Sequence, residues 1–397
     1  MEKGRQIVLA FQLPEALPGV LEGISRYVRE RHRNWRVLLC VPTQNFRSAF
    51  HGRFADGAIT GLGPRSGQIL SSLLRKQVPV VNVIRNLLPR VPSVISDNHA
   101  IGRRAAEYLL ERGFRHFGFV GVDLPWSHER YEGFSSRLLE SGHTSLAKLQ
   151  LVLKDYQYTS KVRAVTLLRK WLRKIPTPTA ILGAADFIAR NVVNACTAEG
   201  HVVPEHFAVM GVDDFPSECQ IGPVTLTSIA QDFQRIGSEA AAQLDTLILN
   251  RNQPFLQPIL VPPGKIHVRS STDVLAFDDP VIVAALRMII ARAPRALTMK
   301  ELLREIPLSR KWLDHRFKKA LGRTPSEEIR RQRLKHVHDL LAESNMPLRQ
   351  IAARGRFSCL QNMLRSLRRA SGPSPHAFRR ATRDIPPDPR ADLGAQD

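Results

Sequence analysis

Residues 297–322 read LTMKELLREIPLSRKWLDHRFKKALG, and residues 347–372 read PLRQIAARGRFSCLQNMLRSLRRASG. Each runs through a short amphipathic segment and a tight turn into a longer helix whose polar side is crowded with Arg, Lys, His, Gln and Asn. That is the pattern of a helix-turn-helix, in which the second helix lies in a DNA major groove. In the first run Thr298 and Glu301 form a capping box, Ser309 precedes the second helix and Gly322 closes it. Leu313, Phe317 and Leu321 recur every fourth residue and face a core. Ser309, Arg310, Lys311, Asp314, His315 and Lys318 are left for DNA. A second box, Thr324 with Glu327 around Pro325 at the first helical position, opens a connecting helix through Leu341 that holds the two motifs apart. In the second run Ser358 is the expected cap and Met363, Leu364 and Leu367 the buried stripe. Gln361, Asn362, Arg365 and Arg369 form the exposed set. Asn and Gln pair bidentately with adenine and Arg with guanine, each contact contributing about 1–3 kcal/mol of discrimination. For any single Arg or Lys the plainer reading is a solvated helix face; for two such runs in tandem it is a poor account.

Charge follows the same division. The 397 residues carry 58 Lys and Arg against 36 Asp and Glu, a net charge of +22. Residues 278–397 hold 25 basic against 13 acidic side chains, and the longer remainder holds 33 against 23. Such a tail attracts phosphate through counterion release, although charge alone equally fits RNA or an anionic lipid surface. The length implies two or three domains. Four cysteines, Cys40, Cys196, Cys219 and Cys359, include no C-x-x-C pair, so no zinc site, disulfide framework or other cofactor is expected. The N-terminal MEKGRQIVLAFQLPEALPG breaks its apolar run at Gln12 and Pro14, which fits neither a spanning helix nor a secretory signal. A cytoplasmic protein with no membrane partner is expected. No G-x-x-x-x-G-K-[ST], G-x-S-x-G or H-E-x-x-H run is present, so nothing points to an enzyme.

From residue 5 to about 275, short apolar runs alternate with longer amphipathic ones, which predicts parallel sheets wrapped by helices. Strands are expected at 7–11, 36–41, 57–60, 78–83, 94–96, 116–121, 149–153, 180–183, 208–212 and 226–229. Helices are expected at 17–30, 65–75, 98–112, 129–140, 161–173, 187–198 and 233–249. Asp97 reads as an N-cap, and Gly113, Gly142 and Gly200 as left-handed helix ends. So many βα units exceed one sheet, which implies two doubly wound lobes facing across a cleft.

Three stretches carry a resemblance. SDNHAIGRRAAEYLLERGFRHFGFVG (Ser96–Gly121), SHERYEGF (Ser127–Phe134) and VMGVDDFPSECQIGPVTLTSIAQDFQRIGSEAAAQL (Val209–Leu244) resemble the effector-binding core of the LacI/GalR repressors, a periplasmic-binding-protein-like fold. The C-terminal part is similar to the AraC/XylS DNA-binding domains, with R-F-K-x-x-x-G-x-x-P at Arg316–Pro325 and S-P-x-x-F-R at Ser374–Arg379. A LacI-type sensor that lacks its own headpiece and ends in an AraC-type domain resembles the XylR-like subfamily of transcription regulators. The resemblance spans residues 5 to 380. It implies an α/β two-lobed sensor over 1–275, an all-α domain with two helix-turn-helix motifs over 276–383, and a Pro-rich, polar, disordered tail over 384–397.

The resemblance further implies a sequence-specific regulator of double-stranded DNA, more often an activator that recruits RNA polymerase, working as a homodimer under a small carbohydrate-like effector. Carried over position by position, it places an effector-contacting arginine at Arg130 and acidic contacts at Asp186 and Asp213. Trp126, just before Arg130, offers a stacking face. Plainer roles stand beside these: Asp186 as the cap of the helix from Phe187, Asp213 and Asp214 as turn formers, Arg130 paired with Glu129 or Glu132, and Trp126 as a core residue. Two departures from the family pattern matter. Ala185 stands where an Asn often precedes the Asp, and the loop Gln12–Gly19 has Glu15 as its only charge, so a modified sugar, another small molecule or a sensor without a ligand are open alternatives. A transport-type binding protein and a nonspecific, ligand-indifferent DNA binder are the competing functions. Finally, Arg356 takes the place of the turn glycine before Phe357; if that turn needs a positive φ, arginine there costs on the order of 1 kcal/mol.

Overall fold

The computed structural model describes residues 4–11, 16–40, 55–61, 67–84, 91–151, 161–250, 257–293, 297–306, 308–344, 346–369 and 374–375. The expected disordered tail, most of the S-P-x-x-F-R run and loop residues Gln12–Glu15 lie outside these. The described residues divide into two compact units. The first holds residues up to Glu107 together with Phe117–Asp273; the second holds Tyr108–His116 and the residues from Val274 onward.

In chain order the first unit begins with β1 (Arg5–Phe11), α1 (Leu17–Glu30), β2 (Trp35–Cys40), β3 (Gly57–Gly61), α2 (Gly67–Arg75), β4 (Val80–Asn82) and β5 (Val94–Ser96). It continues with α3 (Asn98–Glu111), β6 (His116–Val122), α4 (Pro125–Glu140), β7 (Leu146–Leu151), α5 (Lys161–Leu172), β8 (Thr179–Gly183) and α6 (Asp186–Ala198). Then come β9 (Phe207–Asp213), the single turn α7 (Pro216–Cys219), β10 (Thr227–Ala230), α8 (Phe233–Leu249), β11 (Ile259–Val261) and β12 (Ile266–His267).

Two sheets result. One has the order β2-β1-β3-β4, all parallel, and a parallel bridge from Asn82 to Ser93 joins it to the β5-β11 pair. The other has the order β12-β10-β9-β8-β6-β7, parallel except that β12 runs against β10. Strands such as GAITG (β3) and TAILG (β8) are buried along their whole length, as expected for strands covered on both faces. The core of the first sheet is Ile7, Leu9, Ile24, Tyr27, Ile59, Val81 and Leu244. On its flank the Asp245 carboxylate is fully buried and accepts from Arg33 Nε at 2.7 Å, Tyr27 Oη at 3.2 Å and Arg5 Nη1 at 3.3 Å.

The chain passes between the sheets three times, at Ser96–Asp97, Ala230–Gln231 and after Val261, and the crossings are tied together. Asp97 N donates to Val261 O at 2.8 Å, Gly264 N to Ala230 O at 2.9 Å and Ala230 N to Lys265 O at 2.8 Å. Beside the crossings α3 and α4 meet backbone to backbone. A Cβ at Gly102 would lie 2.0 Å from Arg130 O, and one at Gly133 would lie 2.0 Å from His99 O.

The second unit contains α9 (Pro280–Arg292), α10 (Met299–Glu305), α11 (Arg310–Leu321), α12 (Pro325–Glu343), α13 (Leu348–Arg354) and α14 (Leu360–Arg369). It has two cores. Ile282, Leu286, Ile289, Leu302, Leu313, Phe317 and Ile329 form the first, and Leu334, Val337, Leu341, Ile351, Met363 and Leu367 the second. Helix α12 contributes to both, so its one rod fixes the two motifs, as the connecting-helix reading expects. Residues 108–116 dock onto the first core's edge: Ala276 N donates to Arg112 O at 2.7 Å, and Arg115 pairs with Asp278 at 2.9 Å.

Most expected elements form, with instructive differences. Helix α4 starts at Pro125 rather than Glu129, because Pro125 occupies the first helical turn and places Trp126 and Ser127 on the helix. Strand β7 starts three residues earlier than expected, at Leu146; its alternating exposure, as the outer strand of its sheet, hides it from a search for apolar runs. Strands β11 and β12 and helix α9 were not anticipated. Asp97 caps α3 through Ala100 N at 2.9 Å, and Gly113, Gly142 and Gly200 have φ of +85°, +82° and +74°. Since α3 and α4 have no room for a methyl group between them, Gly102→Ala is expected to cost about 2–3 kcal/mol in urea unfolding; a loss below about 0.5 kcal/mol would show that the helices separate freely.

Candidate effector and DNA-contact sites

Arg130, on the second turn of α4, is 4% exposed. Its Nε donates to Asn98 Oδ1 at 2.9 Å and its Nη1 donates to the Ala184 carbonyl. Nη1 lies 3.6 Å from Asp213 Oδ1, and the guanidinium sits 5.0 Å over the Trp126 ring. Its ion-pair partner is therefore Asp213 rather than Glu129 or Glu132. Burial lowers the Arg130 pKa and Asp213, then Asp186, raise it; a guanidinium remains charged throughout.

Asp213 ends β9 with φ +114°, and Asp214 follows with φ +60°. Two consecutive non-glycine residues in this region store strain at the strand's carboxyl end. Asp213 Oδ1 accepts from Gln231 Nε2, and Gln231 Oε1 in turn accepts from Ser96 Oγ. Asn98, besides accepting from Arg130, donates from Nδ2 to Glu129 Oε2 at 3.2 Å. Arg130, Asp213 and Trp126 are thus brought together as the sequence suggested. Asn98, Gln231 and Ser96 join them without having been singled out. Their signal lies in the two crossings, S-D-N after β5 and A-Q-D after β10, where polar residues end a buried strand.

Asp186 stands apart. It is fully buried; Oδ1 accepts from Ser228 Oγ at 2.6 Å, and Oδ2 accepts from Phe215 N at 2.8 Å and Cys219 Sγ at 3.3 Å. It does not cap its own helix: Ala185 is the N-cap, with no side-chain bond. Instead it braces the turn after β9 that carries Asp213. Burial, and secondarily the Asp213 charge, push its pKa up to about 8. On the other side of that turn, Asp214 pairs with Arg269 at 2.7 Å. At the carboxyl end of the first sheet, the buried Thr60 Oγ1 donates to Asn82 Oδ1 at 3.2 Å.

In the C-terminal unit both capping boxes form, at Thr298 with Glu301 and Thr324 with Glu327. Ser309 Oγ accepts from Trp312 N at 3.3 Å, and Gly322 closes α11 at φ +71°. Leu313 and Phe317 are buried; Ser309, Arg310, Lys311, His315 and Lys318 are exposed, and Asp314 is half-buried beside Arg310 at 4.0 Å. Arg316 is occupied otherwise. It forms two bonds to Asp279, the cap of α9, at 2.8 and 2.9 Å, and lies 3.5 Å over the exposed Trp312 ring. In the second motif Gln361, Arg365 and Arg369 are exposed and Asn362 is half-buried. Ser358 is not the cap expected of it, because α14 begins at Leu360 and Cys359 O accepts the first helical bond. The Ser358 hydroxyl instead accepts from Asn362 Nδ2 at 2.6 Å. At the start of α12 the buried Glu328 accepts from Arg331 at 2.8 and 2.9 Å, from Gln332 at 2.7 Å and from Arg323. Burial works against its charged form, but these partners prevail and hold its pKa below the ordinary value.

Residues 106–272 match the periplasmic binding protein-like domain family and residues 302–381 the helix-turn-helix domain family. The xylose operon regulatory protein of Escherichia coli K12 is 26% identical over 398 residues, covering 96% of this chain and 99% of that protein. A solved structure, that of the xylose-binding transcription activator xylR, superposes with a TM-score of 0.60 at 26% identity, covering 96% of this chain and 100% of the other. The chain is a XylR-like transcription regulator. Over 184 residues, 46% of the regulator and 52% of the repressor, it is also 30% identical to the HTH-type transcriptional repressor PurR of Yersinia enterocolitica. Among the described residues of the regulator, no helix is long and apolar enough to cross a membrane and no group of three or more His, Cys, Asp or Glu could hold a metal.

The raised pKa of Asp186 has a calculable consequence. Above about pH 4 the unfolded chain carries this carboxyl ionised while the folded chain keeps it protonated up to about pH 8. Its contribution to stability is thus complete below pH 4 and declines through the window from 4 to 8. Urea unfolding at pH 5, 6, 7 and 8 is expected to show a fall that Asp186→Asn flattens; an identical slope in both proteins would remove Asp186 from the titration.

Proposed function

We propose that the regulator takes a small hydroxyl-rich, sugar-like effector at the crossings, against Asn98, Trp126, Arg130, Asp213 and Gln231. The observation that carries this reading is the Arg130–Asp213 pair. Arg130 is buried and Asp213 half-buried, and they lie 3.6 Å apart, beyond hydrogen-bond length, where Asp213 ends its strand at the side on which α/β folds receive ligands. A ligand hydroxyl can accept from Arg130 and donate to Asp213 across that gap, the flanking amides read neighbouring hydroxyls, and the Trp126 ring receives the apolar face of a sugar. Asp186 acts beneath this layer as a positioning residue, because its own oxygens are already engaged.

Effector binding favours the closed arrangement of the lobes and shifts the population toward it. The output is DNA binding through α11 and α14, with Arg310, Lys311, Asp314, His315 and Lys318 on one helix and Ser309 just before it, and Gln361, Asn362, Arg365 and Arg369 on the other with Ser358 just before it. The regulator works in the cytoplasm as a homodimer without catalytic activity, and activates transcription by engaging RNA polymerase. The full-length likeness to the xylose operon regulators supports this assignment over a transport-type binding protein.

A thermal-shift screen over pentoses, hexoses and their deoxy and acid derivatives tests the sensor, with xylose, named for the similar solved activator, included. At least one sugar is expected to raise the melting temperature, and Arg130→Gln is expected to abolish that rise while remaining folded. A variant that responds fully would move the effector elsewhere. For the output, Arg310→Ala or Lys311→Ala is expected to weaken binding to a selected duplex by about 1–3 kcal/mol, with less effect on unrelated sequences. Equal losses on every sequence would reassign these residues to the phosphate backbone.

A further inference from the structure

The turn between α13 and α14 places Arg356 where a glycine is favoured, and the neighbouring glycine cannot take over that role. Gly355 is buried at φ −73°, and a Cβ there would lie 2.4 Å from Val337 Cγ2 of α12. The glycine is thus fixed by the close approach of the turn to the connecting helix. The left-handed position falls on the next residue, Arg356, at φ +58°. The turn is closed by its backbone, with Arg356 N donating to Ala353 O at 3.0 Å and Phe357 N to Ala352 O at 2.9 Å. Gly, Asn or Asp would sit there with less strain.

What arginine adds is a long cation. Arg356 is exposed, and no hydrogen bond or ion pair to another described side chain accounts for its guanidinium. It stands four residues before α14, whose exposed face carries Gln361, Arg365, Arg368 and Arg369, and two residues after the exposed Arg354 that ends α13. The first residues of a groove-reading helix meet base edges, so the turn leading into them runs beside the sugar-phosphate strand. A planar guanidinium suits a phosphate there, since it forms two parallel charge-assisted bonds.

We propose that Arg356 is a phosphate-contact residue of the second helix-turn-helix, seating the start of α14 against the DNA backbone while straining its own turn. The proposal rests on the DNA-binding role of the C-terminal unit and adds a contact at a position where the related domains usually place glycine.

Stability and affinity are then expected to move in opposite directions. Thermal unfolding and fluorescence anisotropy with a labelled mixed-sequence duplex, both on the full-length chain, measure the two. Arg356→Gly relieves the turn and is expected to raise the melting temperature by about 3–6 °C. It is also expected to weaken duplex binding several-fold and lower the slope of log K against log salt by about 0.9, one phosphate's share. Arg356→Lys keeps the charge, and both quantities should stay near wild type. Lys174→Ala removes one charge from an exposed site in the other unit and should leave the slope unchanged. An Arg356→Gly protein with the wild-type salt slope overturns the proposal whatever its melting temperature, as does an equal loss of slope in Lys174→Ala. Failure of the wild-type chain to bind any duplex overturns the DNA-binding role itself, which is a separate result.

Discussion

Burying a guanidinium requires partners on every side, and in this chain Arg130 sets that requirement. An isolated charge withdrawn from water is too costly to retain, so its neighbours must supply acceptors in fixed places. They come from different parts of the chain: Asn98 from the first crossing, the Ala184 carbonyl from the end of β8, Asp213 from the end of β9. The glycine contacts at Gly102 and Gly133 let α3 and α4 approach closely enough for Asn98 and Arg130 to meet. Strain at Asp213 and Asp214 is held in place from beneath by Asp186 and from the side by Arg269. The sensor's strands and crossings are thus arranged around one cation, the same group that is suited to a ligand's hydroxyls.

The C-terminal unit solves a different problem. Short helices of seven to twelve residues have little stability of their own. Here they are ended by explicit devices, two capping boxes, the Ser309 cap and the left-handed Gly322, and they share one long rod. Ile329 of α12 belongs to the first core, and Leu334, Val337 and Leu341 belong to the second. Charged side chains in this part of the chain are mostly cations, 25 basic against 13 acidic over residues 278–397. Arg316 is an exception in use: although it belongs to the exposed-looking R-F-K run, its charge is spent on Asp279 and its plane on Trp312.

Legibility in the sequence followed physical rules. Helix α1 is expected at 17–30 and occupies Leu17–Glu30, because its apolar period is strong and Pro18 fits its first turn. The Asp97 cap and the three left-handed glycines were readable because each answers a local backbone demand. Strands β11 and β12 were not, since three and two residues paired across long separations leave no periodic trace. Helix α9 is apolar on most of its surface and so lacks the alternation that announces an amphipathic helix. At the crossings the sequence singles out Arg130, Asp213 and Trp126 but not the amides beside them, Asn98 and Gln231, whose partners lie far along the chain. Ser358 was misjudged because a serine before a helix reads as a cap, whereas here Asn362 competes for its hydroxyl.

The buried Asp245 carboxylate has a bearing on how the polypeptide is made. Its three partners, Arg5, Tyr27 and Arg33, leave the ribosome early, yet Arg5 and Asp245 are separated by 240 positions. The packing of α1 and sheet β2-β1-β3-β4 against α8 is therefore a contact of long sequence separation. The sheet built around β6, β8 and β9 has most of its strands in hand sooner. The carboxylate that fastens the first helix and strand thus becomes available only after most of the sensor has been translated, and contacts of such sequence separation are slow to form.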